Sequence, residues 1–239
     1  MKKLYTFAFA AMLAAMGCQA MAQTTKYVKV TTEPADWTGT YLIVYEADDE
    51  NNVAYVFDGA LEGKSLDSKG NFFEASNPAG EDGVRYIESN EQTDAAVFHI
   101  TEDWAAPGPG TYHVKSASGY WIGYDSEEKG EPNLEYSNES AFANKISMEE
   151  GKTSVNIYGK VSPYCLRFNA DEGKERFRYH EEGKKKSIKL YQKVGDNSTA
   201  ISDINANITP SQVFNLQGQH IDGIQKGMNI VGGKVVINN

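Results

Sequence analysis

The sequence predicts an all-β protein: a β-trefoil-like domain or an irregular closed β-barrel, followed by a short C-terminal β-hairpin module. Three observations carry that prediction. Ten short runs rich in β-branched and aromatic residues follow one another, separated by clusters of Gly, Asn, Asp, Ser and Pro. No stretch sustains an apolar period of 3.6 residues over three turns, so little helix is expected. Three segments repeat one plan, a Tyr-containing strand, a Gly-containing turn and a second strand, which is the signature of an internally repeated β architecture.

The first element is an address rather than a fold. Met1-Lys2-Lys3 is basic, Leu4 to Met16 is almost unbroken apolar sequence, and small residues lead to Ala20-Met21-Ala22. That order describes a secretory signal peptide over residues 1–22, with Gln23 first in the mature chain. The run is shorter than the ~20 residues a membrane span requires, and no later segment approaches that length, so no transmembrane segment is expected. Ala15-Met16-Gly17-Cys18 offers a second route, lipidation at Cys18 and a lipid anchor, although the usual leading Leu of a lipobox is missing.

The β-rich domain is expected over residues 23–193. Its strand signals are Tyr27 to Val30, Thr40 to Tyr45, Val53 to Phe57, Val97 to Ile100, Thr111 to Lys115, Tyr120 to Tyr124, Ser154 to Tyr158, Tyr164 to Phe168, Glu175 to His180 and Ser187 to Gln192. The repeated hairpins are Gly39 to Val44 with Ala54 to Phe57, Gly110 to Lys115 with Tyr120 to Gly123, and Ser154 to Tyr158 with Tyr164 to Phe168. The first repeat is the longest, which places an insertion between Asp58 and Glu91. Residues 194–211 are polar and Asn-rich and read as a linker. Residues 212–239 read as a tail of two hairpins, the second turning at Gly232-Gly233.

Charge narrows the partners. The 239 residues carry 23 Lys and Arg against 33 Asp and Glu, a net charge of −10, and loss of Lys2 and Lys3 with the signal peptide would take it to −12. Nucleic acids and anionic membranes are bound by clustered Lys and Arg, so neither is an expected partner. Two cysteines exclude a disulfide-built scaffold and a four-cysteine zinc site. Cys165, the only cysteine of the mature chain, sits in an alternating run with no His or Lys beside it, and reads as a small buried hydrophobe.

No His-Glu-x-x-His, Gly-x-Ser-x-Gly, P-loop or dinucleotide-binding motif is present, and no cofactor is expected. His99, His113, His180 and His220 form no ligand pair at short spacing. The oxygen-rich Asp48-Asp49-Glu50 followed by Asn51-Asn52 has the chemistry of a calcium loop, but a hairpin tip selects the same residues for turn geometry. Arg176, Arg178, Lys184, Lys185, Lys186 and Lys189 interleave with Phe177 and Tyr179, a pattern of polyanion patches. Glu175, Glu181 and Glu182 among them favour a solvated hairpin. Flat aromatic rings stack on sugar faces, which makes Trp37, Trp104, Trp121, Tyr124, Tyr136 and Tyr179 the ligand-binding candidates. The Gln-x-Trp repeat of ricin-like lectins is absent.

The tail carries a resemblance. Val213-Phe214-Asn215-Leu216, Gly218-Gln219, Lys226-Gly227, Ile230 and Gly233-Lys234-Val235 are similar to the short relatives of the type IX secretion sorting domain of exported Bacteroidota proteins. The resemblance implies export through that machinery. The more extended Gly-x-Tyr segment of the longer version is missing here. Gly39 to Tyr45, Tyr55 to Gly59, Arg176 to Tyr179 and Ile188 to Tyr191 resemble a β-rich domain of secreted proteins from the same bacteria, a likeness that brings no catalytic residue with it. The expected function is a secreted or cell-surface, non-catalytic binding module for a glycan or a surface protein. The alternative is a secreted hydrolase, directed at glycans or peptides, whose catalytic acids are dispersed.

Overall fold

The structure is a computed structural model. It describes residues 25–47, 51–103, 110–125, 133–161 and 163–194, together with the backbone of four tail strands. Among the described residues no helix is long and apolar enough to cross a membrane.

The described residues are mostly β-strand. In order it forms β1 (Lys26–Lys29), β2 (Gly39–Glu46), β3 (Val53–Phe57), a 3-10 turn (Gly63–Asp67), β4 (Phe72–Ser76), β5 (Tyr86–Glu88), α1 (Glu91–Ala95), β6 (Phe98–Glu102), β7 (Thr111–Ser116), β8 (Trp121–Gly123), β9 (Glu135–Ser137), β10 (Asn144–Met148), β11 (Val155–Tyr158), β12 (Tyr164–Asn169), β13 (Arg176–Glu181) and β14 (Lys189–Val194). The tail adds β15 (Val213–Phe214), β16 (His220–Ile221), β17 (Gly227–Val231) and β18 (Lys234–Asn238). These four pair in a separate antiparallel sheet of order β16-β15-β17-β18, with Val231 opposite Lys234.

The first fourteen strands form one antiparallel sheet. A single set of pairings recurs along it. The first strand of each group pairs with the second (β2–β3, β7–β8, β11–β12), and the second pairs with the third (β3–β4, β8–β9, β12–β13). Each group hands on to the next through β6–β7, β10–β11 and β14–β2. The ladders do not close into the barrel that the sequence led us to expect: the path runs from β13 at one end to β5 at the other. Between β11 and β14 there is only one isolated bridge, Val155 with Ile188. Just before β14, Lys186 exchanges paired backbone hydrogen bonds with Phe168.

Burial follows strand periodicity where one face is covered. In β7, Tyr112, Val114 and Ser116 are buried while Thr111, His113 and Lys115 are half-exposed. β2 departs from alternation, and Tyr41, Leu42, Ile43 and Val44 are all buried. Tyr41 and Ile43 join the main core, whereas Leu42 and Val44 join a second cluster with Tyr27, Ile87, Val97 and Tyr191. A strand covered on both faces reads as a continuous apolar run. The cover on the second face includes β1 and the insertion: β5 pairs with β1, and Tyr27 of β1 donates to Asp94 of α1 at 2.6 Å. The short helix is held by reciprocal capping, with the Asn90 side chain accepting from the Thr93 amide and the Thr93 hydroxyl accepting from the Asn90 amide. Cys165 is fully buried, and burial pushes its thiol up to about 11, in keeping with an inert packing residue.

Candidate functional site

The hairpin β12–β13 builds a polar concavity around a row of basic groups. Its sequence alternates, so Phe177 and Tyr179 of β13 enter the main core with Leu166 and Phe168 of β12. The other face carries Arg176, Arg178 and His180, opposite Asn169, Arg167 and Cys165 respectively. Two turns fold over this row. Gly173 (φ +72°) and Gly183 (φ +79°) hold the left-handed conformations that let the chain reverse tightly. The first turn presents Asp171 and Lys174. The second presents Lys184 and Lys185 and is pinned to the hairpin by paired backbone bonds between Lys186 and Phe168, both 3.0 Å. Tyr164 and Glu181 complete a pocket of about 350 Å³.

Five basic side chains and two carboxylates line this pocket, a local excess of positive charge on an acidic chain. Most of the charges are paired. Arg178 forks onto Asp67, with Nε–Oδ1 at 2.7 Å and Nη2–Oδ2 at 2.6 Å. Lys185 holds Asp171 and lowers its carboxyl, and Lys184 reaches Glu181 at 2.6 Å. Arg176 differs. No described side chain accepts from its guanidinium, and its buried Nε has no hydrogen-bond partner. Burial, followed by the neighbouring Arg178, works against its charge. His180 is 6% exposed, and its Nε2 is likewise buried without a partner. Burial first, then Lys185, Arg178 and Arg176, push its pKa down to about 4, so the imidazole is neutral at physiological pH.

A second, wider and shallower concavity of about 730 Å³ lies beside β10, between Thr31–Glu33 and residues 148–154. Its central carboxylate is committed to structure. Glu149 accepts from Arg167 at 3.0 Å, Ser187 at 2.7 Å and Lys152 at 3.0 Å. Burial alone would raise this carboxyl, but these partners outweigh it and hold it below the usual range. Arg167 is itself buried and also donates to Asn156 at 2.6 Å.

The aromatic candidates do not assemble into one surface. Trp37, Tyr124 and Tyr179 are core residues; Tyr124 stacks between Tyr164 (4.7 Å) and Tyr179 (6.1 Å), leaving no free ring face for a ligand. Tyr179 further donates to Asn144 at 2.7 Å. Trp121 is half-exposed, but Lys115 already lies 4.0 Å over its ring. Tyr136 packs edge-on against Tyr120 at 6.0 Å. Trp104, Asp48, Asp49, Glu50 and Cys18 lie outside the described residues. Among the described residues no group of three or more His, Cys, Asp or Glu side chains could hold a metal ion.

Sequence reasoning noticed the basic run of β13 but read it as a solvated hairpin. It gave no weight to Asn169, Asp171, Lys174 or His180. The available signal was the alternation Arg176-Phe177-Arg178-Tyr179, which puts both arginines on one face. The turns that wall the face are set by tertiary packing. Compared with family models, curated proteins and solved structures, the chain matches none.

Proposed function

We propose that this chain is an exported, non-catalytic binding module, secreted or held at the outer cell surface, which takes a glycan or a surface protein as its ligand. The observation that carries the reading is the pocket on β12–β13, where Arg176 Nε and His180 Nε2 are buried with their hydrogen-bonding capacity unused. Buried polar groups are nearly always satisfied, so an orphaned pair on residues that line a charged pocket supports a binding role for it. Export is supported by the signal-peptide pattern of residues 1–22 and by the sorting-like pattern of the tail.

The β domain fits a trefoil-like plan of three four-strand units: β2-β3-β4-β6, β7-β8-β9-β10 and β11-β12-β13-β14. Support comes from the recurrence of the same pairings in each unit. It comes also from first-to-fourth contacts in all three, as the β2–β6 and β7–β10 ladders and as the Val155–Ile188 bridge.

Acid–base chemistry suits the pocket less well than binding does. His180 and Asp171 share it, which is the pairing a hydrolase of dispersed residues needs. Both shifts run the wrong way. An imidazole at about 4 is a weak base, and a carboxyl lowered by Lys185 does not hold a proton to deliver. The test is a glycan array run beside a capture assay against bacterial and host surface proteins. A saturable ligand without turnover supports the module. No ligand in either assay, together with hydrolysis of any array substrate, sinks it.

A further inference from the structure

We infer that the β12–β13 pocket is a sugar-acid site: it seats a hydroxylated carboxylate on Arg176, with His180 and the surrounding carboxylates reading its hydroxyls. This rests on the binding-module reading and names its ligand class. Three features of the pocket define that class.

The first is the free cation. Arg178 is saturated by Asp67, and Lys184 and Lys185 each already face a carboxylate. Arg176 lines the pocket without a described carboxylate partner, and a guanidinium matches a carboxylate through two parallel N–H···O bonds. The second feature is the mixture of signs. A dense polyanion would meet Asp171 and Glu181 as well as the cations and would be repelled there. A single carboxylate on a ring of hydroxyls would not, because Asp171, Glu181 and Asn169 accept hydrogen bonds from hydroxyl donors. The third is size and supply. A pocket of about 350 Å³ lies at the small end of ligand sites and suits one sugar ring. Neutral His180 also lines the pocket, and its buried Nε2 has no partner and acts as donor or acceptor according to tautomer.

The experiment titrates the full-length protein with glucuronate, a hexagalacturonate, glucose and a twelve-residue oligodeoxynucleotide, by calorimetry at fixed salt. Arg176→Gln and Lys174→Gln are titrated in parallel after their melting curves are matched to the parent. The expected result is that uronate binds at least about tenfold more tightly than glucose, and that Arg176→Gln loses about tenfold or more of that affinity. Equal or weaker binding of the hexamer supports a site for one sugar acid, and tightest binding of the hexamer, itself a polyanion, overturns it. In the unaltered protein the His180 ring resonances shift with uronate and not with glucose, a readout independent of how any variant folds. Equal affinity for glucose, an Arg176→Gln protein that binds as well as the parent, or tightest binding of the oligonucleotide overturns the inference. If neutral array glycans bind while uronate does not, this inference falls and the binding-module reading stands. If nothing binds in either experiment, both fall.

Discussion

Glu149→Ala should be among the most damaging single substitutions in this protein, and its effect can be worked from the structure. Arg167 is 2% exposed and depends on Glu149 at 3.0 Å and Asn156 at 2.6 Å, while its Nε already has no partner. Truncating Glu149 leaves a buried guanidinium with one acceptor, and breaking a buried pair in this way costs about 3–5 kcal/mol. Ser187 loses its acceptor as well. Lys152 is 65% exposed on its side chain and contributes little, because a surface ion pair is worth about 0–1 kcal/mol. For a domain of this size about 1 kcal/mol moves Tm by roughly 2–4 °C, so a fall of the order of 10 °C is expected. Thermal and urea unfolding followed by circular dichroism would measure it. Glu149→Gln, which keeps an acceptor, should lose less. Glu149→Ala combined with Arg167→Met should recover part of the loss, since the uncompensated charge is then gone. A Glu149→Ala protein within about 1 kcal/mol of the parent would refute the claim that this ion pair keeps Arg167 inside.

Asn71 is buried, donates to the Leu66 and Phe177 carbonyls at 2.7 and 2.9 Å, and accepts from the Phe177 amide at 2.8 Å, so it ties the 3-10 turn to β13. Asn71→Ala should cost about 2–4 kcal/mol through three orphaned backbone groups, and a loss below about 1 kcal/mol in urea unfolding would contradict that role. His180 should make stability rise with pH. Its folded pKa of about 4 lies below the ordinary 6.5, so between those values the unfolded chain takes up a proton that the folded chain refuses. The groups that set this are Lys185, Arg178 and Arg176, opposed by Asp171. Unfolding free energies across that window should climb by at most about 1.4 kcal/mol per pH unit. His180→Gln should remove this part of the slope, and an unchanged slope would show that another group produces it.

Much of the fold was legible before any coordinates. The alternation in Thr111 to Ser116 announced a strand because a half-covered strand must alternate. The three repeated hairpins coincide with β2–β3, β7–β8 and β11–β12. Four strands of the β-rich domain escaped notice, β4, β5, β9 and β10, and each buries few residues. β5 and β9 have three residues each, too few to display a period, and Glu135-Tyr136-Ser137 is mostly polar. β10 buries only Asn144 and Ile146. Helix α1 covers five residues and is marked by its Asn90–Thr93 cap rather than by an apolar stripe. Rings of Tyr and Trp serve a core as readily as a ligand, and Trp37, Tyr124 and Tyr179 are buried in the core.

By itself the sequence determined that the chain is built from short strands, where its hairpins lie, that its cysteine packs as a hydrophobe, and that acidity prevails. Each of these is local or compositional, and is written in neighbouring residues. The tertiary structure alone decided which charges are spent and which are free. Arg176 and Arg178 are two residues apart on one strand face and look equivalent in the sequence. One forks onto Asp67, brought from 111 positions away by the fold, and the other keeps a buried Nε with no hydrogen-bond partner. Ion pairing depends on distance in space, and the partners that satisfy or spare a charge are set by strand pairing and turn packing, which no stretch of neighbouring residues records.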